Sequence, residues 1–131
     1  MSKKHVQLSW QNDTVPISNK FEDSYYSLEN GLHEANYVFI DGNSLQKRLS
    51  HGFQIAELGF GTGLNFLATC AAWNKASKTG KFNFVSFEGY PISNSDLRKA
   101  NLLFPELSEY AEMLQTRWDE IIEGNLVDFG Y

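Results

Sequence analysis

At 131 residues with a formal net charge of −5, the chain has room for one modest domain and is poorly suited to wrapping nucleic acid by bulk electrostatics, so a polyanionic partner has to be met by a local patch. A composition that is 42% hydrophobic and 15% aromatic excludes a disordered segment. With no apolar run of about 18 residues and no secretory signal in MSKKHVQLSW, the expectation is a soluble, cytoplasmic protein without a membrane partner.

The opening segment alternates Val6, Leu8 and Trp10, breaks at Asn12-Asp13 and resumes with Val15 and Ile17, which predicts a small β-hairpin. Asn30-Gly31 marks a turn, YVFI reads as a short strand or extended piece ending at Asp41-Gly42, and Ser44 to Leu49 as a short helix. Phe53 to Leu58 is a compact apolar strand running into the glycine-rich stretch GFGTG. Leu64, Leu67, Ala68, Ala71 and Ala72 then recur at helical spacing as far as Lys75. The single cysteine, Cys70, lies in that helix beside alanines, has no partner for an internal disulfide and reads as buried and inert.

Beyond Lys78-Thr79-Gly80, the run KFNFVSFE is apolar enough for a sheet strand covered on both faces. Ser95 to Leu103 and Glu106 to Trp118 read as helices separated by Phe104-Pro105, and IIEGNLVDFGY as the beginning of a further strand. Two strands joined by a crossover helix make a parallel βαβ unit.

The glycine loop lies at the carboxyl end of the first of those strands, where a crevice forms in such sheets. Gly59, Gly61 and Gly63 let the backbone turn and let a ligand approach it, and Phe60 and Thr62 lie between them. A dinucleotide fingerprint needs its third glycine at position 64, which is Leu64, and an acid two residues before the first glycine does not help a pyrophosphate. A nicotinamide oxidoreductase is therefore disfavoured. Glu57 suits a cationic ligand instead. S-adenosylmethionine carries a sulfonium and an ammonium, and E-x-G-x-G-x-G resembles the first motif of class I methyltransferases. Glu88 closes the next strand 31 residues after Glu57, where such folds place an acid for the ribose hydroxyls. Asn65, at the start of the helix, either caps it or holds the methionine carboxylate.

FEDSYYSLENGLHEANYVFIDGNSLQKRL, IAELGFGTGLNFL, FVSFEGYPIS and FPELSEYAEMLQTRW together resemble the methyltransferase domain of the bacterial bifunctional enzymes that make 5-methylaminomethyl-2-thiouridine in tRNA. The resemblance covers nearly the whole chain. It implies a Rossmann-like α/β class I methyltransferase fold, present as its N-terminal part after a small hairpin. Residues 1–52 would form the hairpin and a substrate- or cofactor-covering segment, and 53–131 the first βαβ part of the cofactor domain.

The implied activity is methylation of 5-aminomethyl-2-thiouridine at the wobble position with S-adenosylmethionine. Glu57, Gly59, Phe60, Gly61, Thr62, Gly63, Asn65 and Glu88 would hold the cofactor. Tyr25, Tyr26, Glu34, Tyr37 and Asn43 would cover cofactor or substrate, with a core role for Tyr26, Tyr37 and Phe39 equally compatible. The family's later segments, including DGF-P, are expected to carry the catalytic residues and are not found in this sequence; the FAD oxidoreductase domain and its FAD site are not found either. No residue here reads as a general base, and His33 reads as a surface residue. Lys75, Lys78, Lys81, Arg98 and Lys99 read as a solvated face with tRNA phosphates as the alternative. The implied partners are tRNA, the remaining half of the domain or an FAD-dependent oxidoreductase domain, and a second copy through exposed apolar surface. The competing expectation is a non-catalytic cofactor- or protein-binding module.

Overall fold

The computed structural model describes residues 5–12, 15–25, 31–76 and 79–130. The expectations placed on Asp13, Tyr26, Asn30 and Lys78 lie outside them.

The alternating opening segment forms the predicted hairpin. Strands β1 (Leu8–Gln11) and β2 (Val15–Ser18) pair antiparallel with Leu8 opposite Ser18, and a two-residue strand β3 (Asp23–Ser24) adds to β2. Val6 and Val15 bury into the main core, and the Val6 N–H donates to the Pro91 carbonyl at 3.3 Å, which fastens the start of the hairpin to the loop at Pro91.

The YVFI stretch is helical and not extended. A short helix α1 (Gly31–Glu34) runs directly into a π-helical segment, Ala35–Asp41, closed by a Gly42 N–H bond to the Tyr37 carbonyl at 2.9 Å. The reason lies in the burial pattern. Gly31, Ala35, Ile40 and Leu45 face inward at spacings of four, five and five, while Tyr37 and Val38 in the middle of the apolar run point to solvent. A four-residue apolar run does not distinguish strand from helix, and here tertiary packing decides. Helix α2 (Leu45–Arg48) follows as predicted, buried through Leu45 and capped by Leu49.

Strands β4 (Gln54–Leu58) and β5 (Asn83–Phe87) form a parallel pair with Ile55 opposite Phe84 and Glu57 opposite Ser86, joined through helix α3 (Leu64–Lys75). Helix α3 is buried on nearly all sides because it separates two apolar clusters. Leu64, Phe66, Leu67 and Cys70 belong to one, with Trp118 and Leu114, and Ala68, Ala72 and Trp73 to the other, with Ile40, Leu49 and Ile55. Burial pushes the Cys70 thiol up to about 12, which makes it inert at neutral pH.

Only one face of the parallel pair is covered. Phe82 and Phe84 pack against the core, but Leu58, Val85 and Phe87 are 88%, 52% and 65% exposed, so the expectation of a strand covered on both faces does not hold within these residues. Helix α4 (Asn94–Asn101) is capped by Ser93, whose hydroxyl accepts from the Asp96 N–H at 3.2 Å. A 3-10 turn, Pro105–Leu107, leads into α5 (Ser108–Thr116) and then α6 (Trp118–Ile122). The expected final strand is irregular instead. Residues 125–130 run back over the core, with Phe129 against Phe66 at 5.9 Å and Asp128 paired with Lys81, so the segment covers a helix and adds nothing to the sheet. No helix among the described residues is long and apolar enough to cross a membrane.

Candidate functional site

The loop between β4 and α3 alternates anchors with glycines. Phe60 stacks on the Trp118 indole at 5.4 Å and 26°, and Thr62 is buried. Gly61 and Gly63 have φ of +58° and +77°. A Cβ on Gly63 would come within 2.9 Å of the Phe60 ring and 3.0 Å of Leu114, and one on Gly61 within 3.0 Å of the Tyr25 ring, so dihedral and space both require glycine. The Gly59 N–H extends the parallel ladder to the Phe87 carbonyl at 2.8 Å, and the Gly63 N–H closes a tight turn on the Phe60 carbonyl at 3.0 Å. The Thr62 and Leu64 N–H groups form no hydrogen bond among the described residues, which leaves donors at the start of α3 for a ligand.

Both acids stand beside this loop, in different states. Glu88 is a brace: Oε2 accepts from the Gly61 N–H at 3.1 Å and Oε1 from the Tyr90 N–H at 2.9 Å, which ties the end of β5 to the glycine loop. Each carboxylate oxygen keeps a second lone pair for a ligand. Glu57 is buried more deeply. Its Oε2 accepts from Asn65 Nδ2 at 3.3 Å, and Oε1 has no partner. Asn65 therefore turns toward Glu57 and does not cap α3.

Desolvation raises the Glu57 carboxyl above the ordinary glutamate range, and Glu88 adds to the rise. Asn65 and Ser86 oppose it, although Ser86 Oγ lies near without closing a hydrogen bond to another described residue. The folded state thus holds this proton more tightly than the unfolded chain. Its contribution to stability is fully present while both states are protonated and is lost as pH rises through the folded pKa. Glu57→Gln should accordingly raise the melting temperature at pH 7, and the difference from wild type should disappear on acidification below the ordinary glutamate range. A variant less stable than wild type at pH 7 would contradict the assigned desolvation.

Between the loop and the N-terminal elements lies a cavity of about 530 Å³. Gly59, Phe60, Gly61, Thr62, Leu64, Asn65 and Glu88 line one side; Asp23, Ser24 and Tyr25 from the hairpin and Glu34, Ala35, Val38 and Phe39 from the helical segment line the other. Burial, and then the nearby Glu88 charge, hold the Tyr25 phenol above its usual pKa. Of the upstream block, Tyr25 and Glu34 reach the cavity. Tyr37 is 69% exposed and does not line it, and Asn43 donates from Nδ2 to the Phe39 carbonyl at 2.8 Å at the end of the helical segment. Gly63 and Glu57 do not line the cavity.

Phe21, Asp23 and Tyr90 also line the cavity and were not singled out from the sequence. Tyr90 follows Glu88 by two positions in EGYP, and Phe21 and Asp23 lie in the FEDSYY block, so position beside a named motif was the available signal. A second, smaller cavity of about 260 Å³ shares Phe60 and Glu88 with the first and is otherwise walled largely by apolar side chains such as Phe66, Phe84 and Trp118. Of the basic residues read as a solvated face, three are engaged within the chain: Lys81 with Asp128, Arg98 Nε donating to Asn94 Oδ1 at 3.0 Å, and Lys99 over the Trp10 ring at 4.4 Å.

No family model matches the chain. Curated relatives do. The tRNA 5-methylaminomethyl-2-thiouridine biosynthesis bifunctional protein MnmC of Aeromonas hydrophila subsp. hydrophila is 44% identical over 131 aligned positions, covering 94% of this chain and 20% of the relative. The proteins of the same name from Leptospira borgpetersenii serovar Hardjo-bovis and Vibrio cholerae serotype O1 are 43% and 42% identical, each over 89% of this chain and 19% of the relative. The chain is homologous to one part of the MnmC bifunctional protein. It spans about a fifth of the length of the MnmC relatives it matches. Among solved structures, the crystal structure of MNMC2 from Aquifex aeolicus superposes with a TM-score of 0.53 over 80% of this chain and 38% of that one, at 20% identity, a likeness of fold. The chain's own structure is an α/β unit with a parallel strand pair.

Proposed function

We propose that this chain forms the methionine and ribose side of an S-adenosylmethionine site in a Rossmann-like tRNA methyltransferase domain, acting in the cytoplasm on 5-aminomethyl-2-thiouridine at the wobble position. The observation that carries the reading is the acid-flanked glycine loop facing a cavity whose charged lining residues are the carboxylates Asp23, Glu34 and Glu88. Such a cavity favours a cationic ligand over a pyrophosphate. The relatives' name supplies the tRNA substrate. Residues 1–52 serve as the cover and residues 53–131 as the cofactor-binding part.

Bound there, the cofactor supplies an electrophilic methyl group. The chain's own residues bind and orient. Gly61 admits close approach to the backbone, and the Thr62 and Leu64 N–H groups suit a carboxylate. Glu88 offers its remaining lone pairs to vicinal hydroxyls, Glu57 sets a negative potential below the loop, and Tyr25 with Glu34 closes the opposite side. Asn65 holds Glu57 in place.

Calorimetric titration with S-adenosylhomocysteine and with NADH tests the reading. Binding of the first alone is expected, and binding of NADH alone would overturn it. In the same experiment Glu88→Ala should weaken the interaction by about 1.5–3 kcal/mol, the range for hydrogen bonds to a charged group. Because Glu88 also braces Gly61 and Tyr90, this variant should melt earlier than wild type. Glu88→Gln, which keeps one acceptor, should recover part of both losses. If both variants bind like wild type, Glu88 is a brace and nothing more.

The exposed sheet face at Leu58, Val85 and Phe87 favours a second reading, a non-catalytic cofactor- or protein-binding module. Methyl transfer to aminomethylated tRNA by the chain alone would exclude it.

A further inference from the structure

Helices α4 and α5 carry two amides where their apolar faces call for hydrocarbon. Asn101 follows the buried Leu97 by one helical turn and Gln115 follows the buried Ala111, yet both amides are themselves buried, 5% and 9% exposed. They are linked. Gln115 Nε2 donates to Asn101 Oδ1 at 3.0 Å, and Asn101 Nδ2 donates to the Thr62 carbonyl in the glycine loop at 3.2 Å. Asn94 Nδ2 donates in turn to the Gln115 backbone carbonyl at 3.0 Å. Burying two amides is unfavourable unless each is paired, and a core built for stability alone would place leucine there.

We infer that Asn101, oriented by Gln115, is a positioning residue for the ligand-binding loop. The Thr62–Gly63 peptide is held at both ends, its carbonyl by Asn101 and its N–H by the Phe60 carbonyl. With that peptide fixed, the adjoining Gly61–Thr62 peptide is restrained, and its N–H, unbonded among the described residues, belongs to a residue that lines the cavity. The relay thereby lowers the ordering cost that a ligand would otherwise meet on binding. This deepens the cofactor reading and rests on it for the ligand, but not for the loop's order.

Two readouts keep the tests separate. In the ligand-free protein, Asn101→Leu should accelerate amide hydrogen exchange at Gly61 and Gly63, whose N–H groups are bonded, while exchange in α3 beyond its first turn stays as in wild type. In titration with S-adenosylhomocysteine, the same variant should lose about tenfold in affinity. The double variant Asn101→Leu/Gln115→Leu should regain melting temperature relative to Asn101→Leu, since no amide is left unpaired, without regaining affinity. Gln115→Glu adds a chemical test. An ionised carboxylate cannot donate to Asn101 and forces its amide to turn away from Thr62, whereas a protonated one can donate, so affinity relative to wild type should be low at pH 8 and recover on acidification. Unchanged loop exchange in Asn101→Leu overturns the inference whether or not any ligand binds. Affinity that follows melting temperature through the double variant does so too. Failure of the wild type to bind S-adenosylhomocysteine, with faster loop exchange in the variant, would reject the cofactor and leave the relay standing.

Discussion

Gly61→Val is expected to abolish binding of S-adenosylhomocysteine while the protein stays folded. A β-branched residue at φ +58° meets the steric penalty of the left-handed region, about 1–2 kcal/mol for an L-residue, and its Cβ would start 3.0 Å from the Tyr25 ring. Relief requires either the loop to leave its brace on Glu88 or Tyr25 to move into the cavity, and each removes part of the site. Gly89→Ala is the control. It lies beside Glu88, is not in the left-handed region and would place its Cβ in open space, so it should bind and melt close to wild type. Equal affinity of the Gly61→Val variant and wild type, with both folded by circular dichroism, would reject the role assigned to the loop.

Trp118→Ala should have the largest effect on stability. The side chain is 2% exposed, its ring stacks on Phe60, and its indole N–H donates to the Ile92 carbonyl at 2.9 Å. Truncation of a buried aromatic of this size costs about 3–5 kcal/mol, and the orphaned carbonyl adds to it. Against a total of about 5–15 kcal/mol for a typical domain, the variant should be largely unfolded at moderate urea where wild type is native. Trp118→Phe keeps a ring against Phe60 and loses only the donor, so its shift should be much smaller. Similar urea midpoints for the two variants would show that the stack on Phe60 contributes little.

How far the sequence carried these conclusions differs from element to element. Helix α3 was legible from Leu64 to about Lys75, because a glycine loop fixes its start and an apolar face runs toward Lys75. The hairpin and the parallel pair followed from alternation and from compact apolar runs. The YVFI segment was not legible: Tyr37, Val38, Phe39 and Ile40 are good strand formers, and only the partners of Ala35 and Ile40 on α3 and α2 make the segment helical. The tail was misread for a related reason, since the fit of Phe129 against Phe66 is a tertiary fact that local patterning does not carry.

At the site, Glu57, Glu88 and the glycines were visible as a motif. The bracing role of Glu88 was not, because it depends on the Gly61 N–H, 27 residues away in the chain, meeting a carboxylate that also accepts from the nearby Tyr90 N–H. Asn101 and Gln115 carried a readable signal, an amide where an apolar stripe predicts leucine.

The wide helical turn at Ala35–Asp41 also has a consequence for how this segment tolerates change in length. A spacing of five, not four, separates the buried Ala35 and Ile40, so the turn holds one residue more than an α-helix would use to cover the same arc. Deleting a single residue between 36 and 39 would permit an ordinary α-turn that still buries Ile40, whereas inserting one would rotate Ile40 away from its cluster. The segment should therefore accept a one-residue deletion far better than a one-residue insertion, unlike a uniform helix, where either change turns everything that follows by about 100°.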